Sequence, residues 1–159
     1  MGINKDEFRS ALSRFPSGVT VVTTRDAGGR LHGMTVSSFA SVSLEPPMIL
    51  VCIEKTTGSH DALTESEFFV VNILAEEQAA LSNRFASTIS TKFDALDYHS
   101  GLGDVPVLTD ALATLECRLA HAYDGGDHTI FVGIVERTRV GDEKPLVYWH
   151  GKYRRLEEE

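Results

Sequence analysis

The stretch that decides the fold is residues 114–140, TLECRLAHAYDGGDHTIFVGIVERTRV. Its two halves, Thr114–Tyr123 and His128–Val140, are rich in the β-branched and aromatic residues that pack well on a pleated sheet. The sequence DGGD at 124–127 separates them, and such a turn between two β-rich runs indicates a hairpin. The sequence therefore predicts two long antiparallel strands joined by a tight turn.

Shorter runs on both sides of this hairpin predict further strands. They are Gly18–Thr24, Leu31–Leu44, Met48–Ile53, Phe68–Leu74, Leu146–His150 and Lys152–Leu156. The run Met48–Ile53 is apolar throughout, which predicts a strand buried on both faces. About seven strands with no regular alternation of strand and helix favour a mainly β (α+β) fold, a closed or partly closed antiparallel barrel.

Helices are expected at the periphery of this barrel. Asn4 and Glu7 have capping-box spacing, which predicts an amphipathic helix over residues 5–14. Ser59 is placed to cap a short helix running to about residue 66, and residues 76–85 predict a third helix. Residues 86–113 show weak periodicity and are expected to form a partly helical excursion. The length of 159 residues predicts one domain over 1–159.

The chain is acidic, with 23 acidic and 15 basic residues and a net charge of −8. This charge disfavours nucleic acid and anionic membranes as partners. It is also uneven, because residues 61–143 carry 15 acidic and 5 basic groups whereas both ends are nearly neutral. We expect the acidic middle to lie mostly on the outer surface.

The remaining composition bears on location and metals. Cys52 and Cys117 stand apart in apolar runs without metal-ligand spacing, and residues 1–10 are polar. Free thiols and a polar start predict a cytoplasmic protein. The six histidines are scattered and no HExxH occurs, so no metal site is expected.

The most informative stretch for function is Gly33–Lys55, together with residues 56–59 that follow it. It contains a run of serines and threonines, a buried strand, and then Lys55 and the helix start at Ser59. Hydroxyls, backbone N–H groups and a lysine can together bind a phosphate. The alternative is that the serines only cover an exposed strand face, and residue spacing alone leaves both interpretations open.

Five ordered segments carry a resemblance to a known family. They are FPSGVTVVTT (15–24), GMTVSSFASVSLEPP (33–47), NRFA (83–86) with KF (92–93), GDHTIFVG (126–133) and PLVYWHGKYRRL (145–156). Together they resemble the short-chain flavin reductases, the small reductase components of two-component flavin monooxygenases. Because the segments span most of the chain, the resemblance covers about residues 5–156.

This resemblance implies a fold and an activity. The implied fold is an FMN-binding split β-barrel, a Greek-key antiparallel barrel with a few peripheral helices that works as a homodimer. The implied reaction transfers a hydride from NADH, with NADPH left open, to FMN or FAD, and the reduced flavin goes to a separate monooxygenase. Cofactors carry such chemistry, which explains why the sequence shows no catalytic nucleophile.

The resemblance also implies which residues bind the cofactors. The implied flavin-binding residues are Met34, Thr35, Val36, Ser37 and Ser38 along the ring and ribityl chain, Cys52, Ile53, Glu54 and Lys55 beside the ring and phosphate, Thr57 and Ser59 on the phosphate, Phe85 and Ala86 over the flavin, and Lys92 near the phosphates. His128, as the catalytic residue, and Tyr153 are implied to meet the nicotinamide. From position alone, a histidine that begins a strand after a turn, as His128 does, is more often a solvated end residue.

Three functions remain open at this point. The chain could be a flavin reductase, a non-enzymatic flavin-binding or electron-carrier barrel, or a structural barrel without flavin. The segments Gly126–Gly133 and Tyr148–Tyr153 favour the reductase, because in the similar family they belong to the nicotinamide side of the site.

Overall fold

The computed structural model describes residues 2–159 as a twelve-strand, three-helix structure. The strands are β1 Ser17–Gly18, β2 Thr20–Arg25, β3 Leu31–Val36, β4 Phe39–Ser43, β5 Met48–Glu54, β6 Phe68–Ile73, β7 Tyr98–Ser100, β8 Pro106–Leu108, β9 Ala113–Gly125, β10 His128–Val140, β11 Val147–Trp149 and β12 Lys152–Arg154. The α-helices are α1 Lys5–Leu12, α2 His60–Glu65 and α3 Ala79–Ala86, and 3₁₀ turns lie at Glu76–Gln78 and Leu102–Asp104.

Seven antiparallel strands form the main sheet in the order β3-β2-β6-β9-β10-β5-β4. Its two edge strands, β3 and β4, are consecutive in the chain and are separated only by Ser37 and Ser38. Three peptide steps span at most about 11 Å, so the sheet must curl until its edges meet. This geometry confirms the predicted mainly β antiparallel barrel with a few peripheral helices.

The predicted hairpin is its longest feature. β9 and β10 pair over nearly their whole length, from Gly125 opposite His128 to Ala113 opposite Val140. The register shifts once between Val132 and Gly133 and again near Arg137. These irregularities increase the local twist, which helps a long hairpin follow the barrel.

The barrel interior is filled by the inward faces of these strands. Val51, Phe69, Val71 and Phe131 are at most 1% exposed there, and a second cluster around Phe85 lies between the sheet and α3. In β6 the side chains from 69 to 72 are all buried, so this strand is covered on both faces. Within the described residues 2–159, no helix combines the length and apolar character needed to cross a membrane.

The prediction that Met48–Ile53 is buried on both faces is wrong. In β5 the residues alternate between buried and half-buried, and Cys52 is among the half-buried ones. The physical reason is position, because β5 lies beside edge strand β4, whose middle residues are exposed.

Three smaller predictions also change. α1 ends at Leu12 rather than at residue 14, although the Asn4–Glu7 capping box forms as predicted. Ser59 takes the N-cap position of α2 but makes no side-chain cap hydrogen bond. The 86–113 region contains β7 and β8, which the sequence analysis missed because each has only three residues.

Asn72, in β6, offers a test of how strongly a buried polar group stabilises the barrel. Its side chain is fully buried, and Oδ1 accepts from the Leu108 N–H at 2.9 Å while Nδ2 donates to the Val21 carbonyl at 2.8 Å. Asn72→Leu leaves both backbone groups without this partner, so we expect the free energy of unfolding to fall by about 1–3 kcal/mol. Urea denaturation measures it, and an unchanged midpoint would contradict the prediction.

Candidate functional site

A cavity of about 790 Å³ opens between β3, β5, α3 and the loop that follows β5. This volume falls in the range of about 300–1,000 Å³ usual for small-molecule sites. Fourteen of the sixteen predicted binding residues line it: Met34, Thr35, Val36, Ser37, Ser38, Cys52, Ile53, Glu54, Thr57, Ser59, Phe85, Ala86, Lys92 and His128. The structure does not place Lys55 or Tyr153 among them.

One wall of the cavity is the free edge of the sheet. β3 pairs with β2 alone among the described strands, so the backbone groups on its other edge are not used in the sheet. The step from β3 to β4 is fixed to β5, because the Cys52 N–H donates to the Ser38 carbonyl at 3.1 Å and Ser38 Oγ donates to the Cys52 carbonyl at 2.9 Å. This wall therefore offers main-chain donors and acceptors in a fixed geometry.

A second wall is α3, which packs directly on β3. Thr35 Oγ1 donates to the Ser82 carbonyl at 2.6 Å, and Phe85 is buried against Gly33. A Cβ at residue 33 would lie 2.5 Å from the Phe85 ring, so this contact requires glycine. The Thr35 hydroxyl proton is used in holding the helix, which makes Thr35 a structural part of the wall.

The 87–94 segment forms a third wall and is held by two cations. Lys92 Nζ donates to the carbonyls of Gly33 and Phe85, both at 3.2 Å. Arg84 Nη2 donates to the carbonyls of Thr91, at 2.8 Å, and Asp94. Burial lowers the pKa of Lys92. Lys92 thus lies in the cavity as predicted, with its ammonium already bound to two carbonyl oxygens.

The loop after β5 was predicted to bind phosphate. Thr57 Oγ1 donates to the Glu54 carbonyl at 2.9 Å, whereas the hydroxyls of Thr56 and Ser59 make no hydrogen bond within residues 2–159. A hydroxyl has a single proton to donate. Thr57 therefore has its hydroxyl proton in use within the loop, whereas Thr56 and Ser59 have theirs available for a ligand.

Lys55 points away from the cavity. Its ammonium forms a salt bridge with Asp124 on the β9–β10 hairpin and holds the pKa of that carboxyl below its usual range. The predicted role of Lys55 as the phosphate cation therefore receives no support from its position. Residue spacing could not reveal this pairing, since 69 residues separate the two side chains.

His128 lies at the rim of the cavity, where β10 begins opposite Glu54. Its Nδ1 is 2.7 Å from Asp127 Oδ1, and this hydrogen bond holds the pKa of Asp127 below its usual range. A hydrogen bond between Nδ1 and a carboxylate orients an imidazole ring. His128 is therefore presented to the cavity in one orientation.

Tyr153 lies behind α3 rather than in the cavity. Its hydroxyl hydrogen bonds with Ser82 Oγ at 2.7 Å and donates to Asn83 Oδ1 at 3.0 Å. The ring packs against the buried cluster that contains Phe85. In this chain Tyr153 supports the helix that forms the second wall.

Several cavity residues were not predicted. They are Arg30, Leu31, His32, Gly33, Thr56, Gly58, Ser87, Thr88, Ile89, Ser90 and Phe93. Gly33 and Phe93 stand inside the matched segments and could have been found there. Arg30 follows a turn, and Ser87–Ser90 follow α3 without any pattern that indicates a ligand, so folding alone brings them together.

The lining of the cavity combines apolar side chains with hydroxyl and main-chain partners, which suits an organic ligand that has both apolar and polar parts. Val36, Ile53 and Phe85 contribute apolar atoms to the lining, although each side chain is at most 5% exposed, and the free edge of β3 supplies main-chain partners. Burial raises the pKa of the Cys52 thiol, so this group faces the cavity uncharged. Such a site binds and orients a ligand rather than attacking it.

Comparison with known proteins agrees with this geometry. The model of the flavin reductase like domain matches residues 12–157. The chain belongs to the flavin reductase family. This flavin reductase is 44% identical over 155 residues to the FMN reductase (NADH) SmoA of Agrobacterium fabrum, covering 98% of this chain and 88% of that protein.

Two further relatives extend the comparison. The reductase subunit HsaB of a flavin-dependent monooxygenase from Rhodococcus jostii is 41% identical over 157 residues, covering 98% of this chain and 80% of that one. The solved structure of the Streptomyces globisporus NADH:FAD oxidoreductase SgcE6, in complex with NAD and FAD fragments, superposes with a TM-score of 0.92. It is 35% identical and covers 97% of this flavin reductase and 93% of that chain.

Proposed function

We propose that this flavin reductase oxidises NADH, reduces FMN or FAD, and supplies the reduced flavin to a separate monooxygenase component. The observation that carries the proposal is the single cavity in which fourteen of the implied binding residues meet, with His128 at its rim. The relatives named NADH-dependent FMN reductase and monooxygenase reductase subunit support it.

The cavity residues fit a flavin. When bound, a flavin supplies a ring that accepts a hydride from the nicotinamide. The apolar atoms that Val36, Ile53 and Phe85 contribute to the lining would contact the ring, and the main chain at Ser37 and Ser38 would hydrogen bond its polar edge. Fixed donors of this kind stabilise negative charge that develops during a reaction without reorganising.

The chain itself would position the two reactants and limit their contact with water. The Thr35, Lys92 and Arg84 hydrogen bonds keep α3 and the 87–94 segment against the sheet, which limits the access of water. His128, held by Asp127, would orient the nicotinamide over the ring. Holding two reactants in one geometry removes much of the entropic cost of their encounter.

An anaerobic assay tests this proposal. Purified protein is mixed with FMN or FAD, NADH or NADPH is added without oxygen, and the visible flavin absorbance is followed. Both flavins are tested as acceptors. We expect NADH to bleach the flavin absorbance faster than NADPH, because the sequence shows no basic cluster for the 2′-phosphate of NADPH. Binding of flavin without bleaching would instead favour the non-enzymatic alternative.

We also propose that the protein is one domain, is cytoplasmic and forms a homodimer. The cytoplasmic location rests on Cys52 and Cys117, which are both free thiols. The homodimer rests on α1, none of whose residues is buried, and on Phe8, Leu12 and Phe15, which are 52%, 57% and 80% exposed. An apolar helix face of this kind is stabilised when a second copy covers it.

Analytical ultracentrifugation checks the dimer. Two chains of 17.4 kDa give a dimer of about 35 kDa. The double change Phe8→Glu and Leu12→Glu places charges on the apolar face of α1, so we expect it to shift the protein towards monomer. The matched control, Lys5→Glu with Arg9→Glu, alters exposed charged residues of the same helix. It should keep a larger fraction of dimer than the Phe8→Glu, Leu12→Glu variant. A wild-type monomer would contradict the proposal.

A further inference from the structure

An ion pair joins the loop after β5 to the turn of the long hairpin. We call residues 55–59 the β5–α2 loop. The Lys55 ammonium of this loop pairs with the Asp124 carboxylate, at the end of β9. Glu54 and Thr56, on either side of Lys55, both line the cavity, whereas Lys55 does not. The backbone of Lys55 therefore lies at the edge of the cavity while its charge is held outside it.

The β5–α2 loop has hydroxyl donors for a phosphate but keeps its cation elsewhere. Lys55 is the one lysine or arginine in the loop. The Thr56 and Ser59 hydroxyls have their protons available for a ligand. A phosphate monoester carries about −1.5 to −2 charge at neutral pH. The position of the Lys55 ammonium therefore affects how tightly this loop binds a phosphate.

The shape of the loop rests on contacts other than this ion pair. The Lys55 N–H donates to the Asp127 carbonyl at 2.9 Å, and His60 Nε2 lies 2.7 Å from Thr129 Oγ1. The side chains of Lys55 and Asp124 are 41% and 77% exposed. Ion pairs so accessible to water add little stability. This pair can therefore break, without unfolding the loop, when a phosphate competes for the ammonium.

We propose that Asp124 tunes flavin affinity by competing with the flavin phosphate for the Lys55 ammonium. This inference rests on the proposed function, with the flavin phosphate at the β5–α2 loop. Lysine carries its charge on a flexible stem, so rotation of the stem brings the ammonium from Asp124 to the loop.

The competition has a consequence for the release of the product. The ion pair with Asp124 has to break before Lys55 binds the phosphate, so part of the attraction between Lys55 and the phosphate is lost. Asp124 thereby keeps flavin affinity lower than the loop would otherwise give. A reductase that supplies reduced flavin to a separate monooxygenase has to release that flavin.

The experiment measures the Kd of FMN and of riboflavin, which lacks the phosphate, in the wild type and in Asp124→Asn. We expect Asp124→Asn to lower the Kd for FMN about two- to fivefold, the range set by the strength of exposed ion pairs. The Kd for riboflavin should stay unchanged. An unchanged or higher Kd for FMN, or an equal fall for riboflavin, would overturn the inference.

A double-mutant cycle with Lys55→Ala separates competition from direct repulsion between Asp124 and the phosphate. In the Lys55→Ala background there is no ammonium to compete for, so Asp124→Asn should leave the Kd for FMN unchanged. A fall in this Kd equal to the fall in the wild-type background would show direct repulsion and overturn the inference.

Two further results complete the test. Asp110→Asn removes the same charge in an exposed turn three residues before β9 begins, at the opposite end of that strand from Asp124. It should bind FMN and riboflavin as the wild type does. Wild-type protein that binds FMN but does not bleach it with NADH would overturn the proposed function alone, because the comparison of FMN with riboflavin would still test Asp124. Wild-type protein that binds no flavin would overturn both.

Discussion

Replacing His128 by alanine is expected to lower kcat/KM for NADH by about 10²-fold, the loss typical of a misplaced reactant. The Kd for flavin should stay within about twofold, because the flavin walls are built by β3, β5 and α3. His128 lies at the rim with Nδ1 fixed by Asp127, so its removal leaves the nicotinamide without an oriented partner. Steady-state kinetics with NADH and a separate flavin titration measure the two effects.

A matched histidine serves as the control for this prediction. His121 is exposed on β9, stacks on Tyr123 and does not line the cavity, so His121→Ala should keep wild-type kinetics. Asp127→Asn should fall between wild type and His128→Ala, since the amide can still accept the Nδ1 proton but carries no charge. Wild-type KM and kcat in His128→Ala, with intact flavin binding, would show that His128 is only a solvated strand end.

The fold followed from local patterns in the sequence. The β-rich runs and the DGGD turn determine β9 and β10 because side-chain type and turn chemistry act over a few residues. β7 and β8 were not predicted, because a strand of three residues is stabilised mainly by the residues that pack on it and not by its own sequence pattern. The error at β5 has a similar cause, since an apolar run does not reveal which strand will stand at an edge.

The candidate site also contains residues that local sequence could locate and residues that it could not. Ser37 and Ser38 lie between β3 and β4 inside the matched 33–47 segment, and Ile53 lies in the apolar run that forms β5, so local sequence could locate them. Lys55 and Tyr153 lie outside the cavity because long-range partners, Asp124 and Ser82, hold their side chains elsewhere. Competition among polar partners depends on the folded structure, and one sequence gives no sign of it.

Gly33→Ala is expected to lower the free energy of unfolding by about 1–3 kcal/mol and to raise the flavin Kd by tenfold or more. The new Cβ would stand 2.5 and 2.8 Å from Phe85 ring atoms and 3.1 Å from Phe93. Phe85 is only 1% exposed and has no room to retreat. α3 must therefore move away from β3, and the Thr35 and Lys92 hydrogen bonds that hold two walls of the cavity lengthen with it.

Urea denaturation and flavin titration measure these two losses separately. Gly28→Ala is the matched control, because a Cβ there meets only Asp26 Oδ1 at an ordinary 3.4 Å, in the exposed turn before β3. Wild-type stability and affinity in Gly33→Ala would show that α3 can shift freely without harming the site. A loss of affinity at nearly unchanged stability would locate the whole effect in the walls, since the barrel interior around Phe131 lies in a different cluster from Phe85.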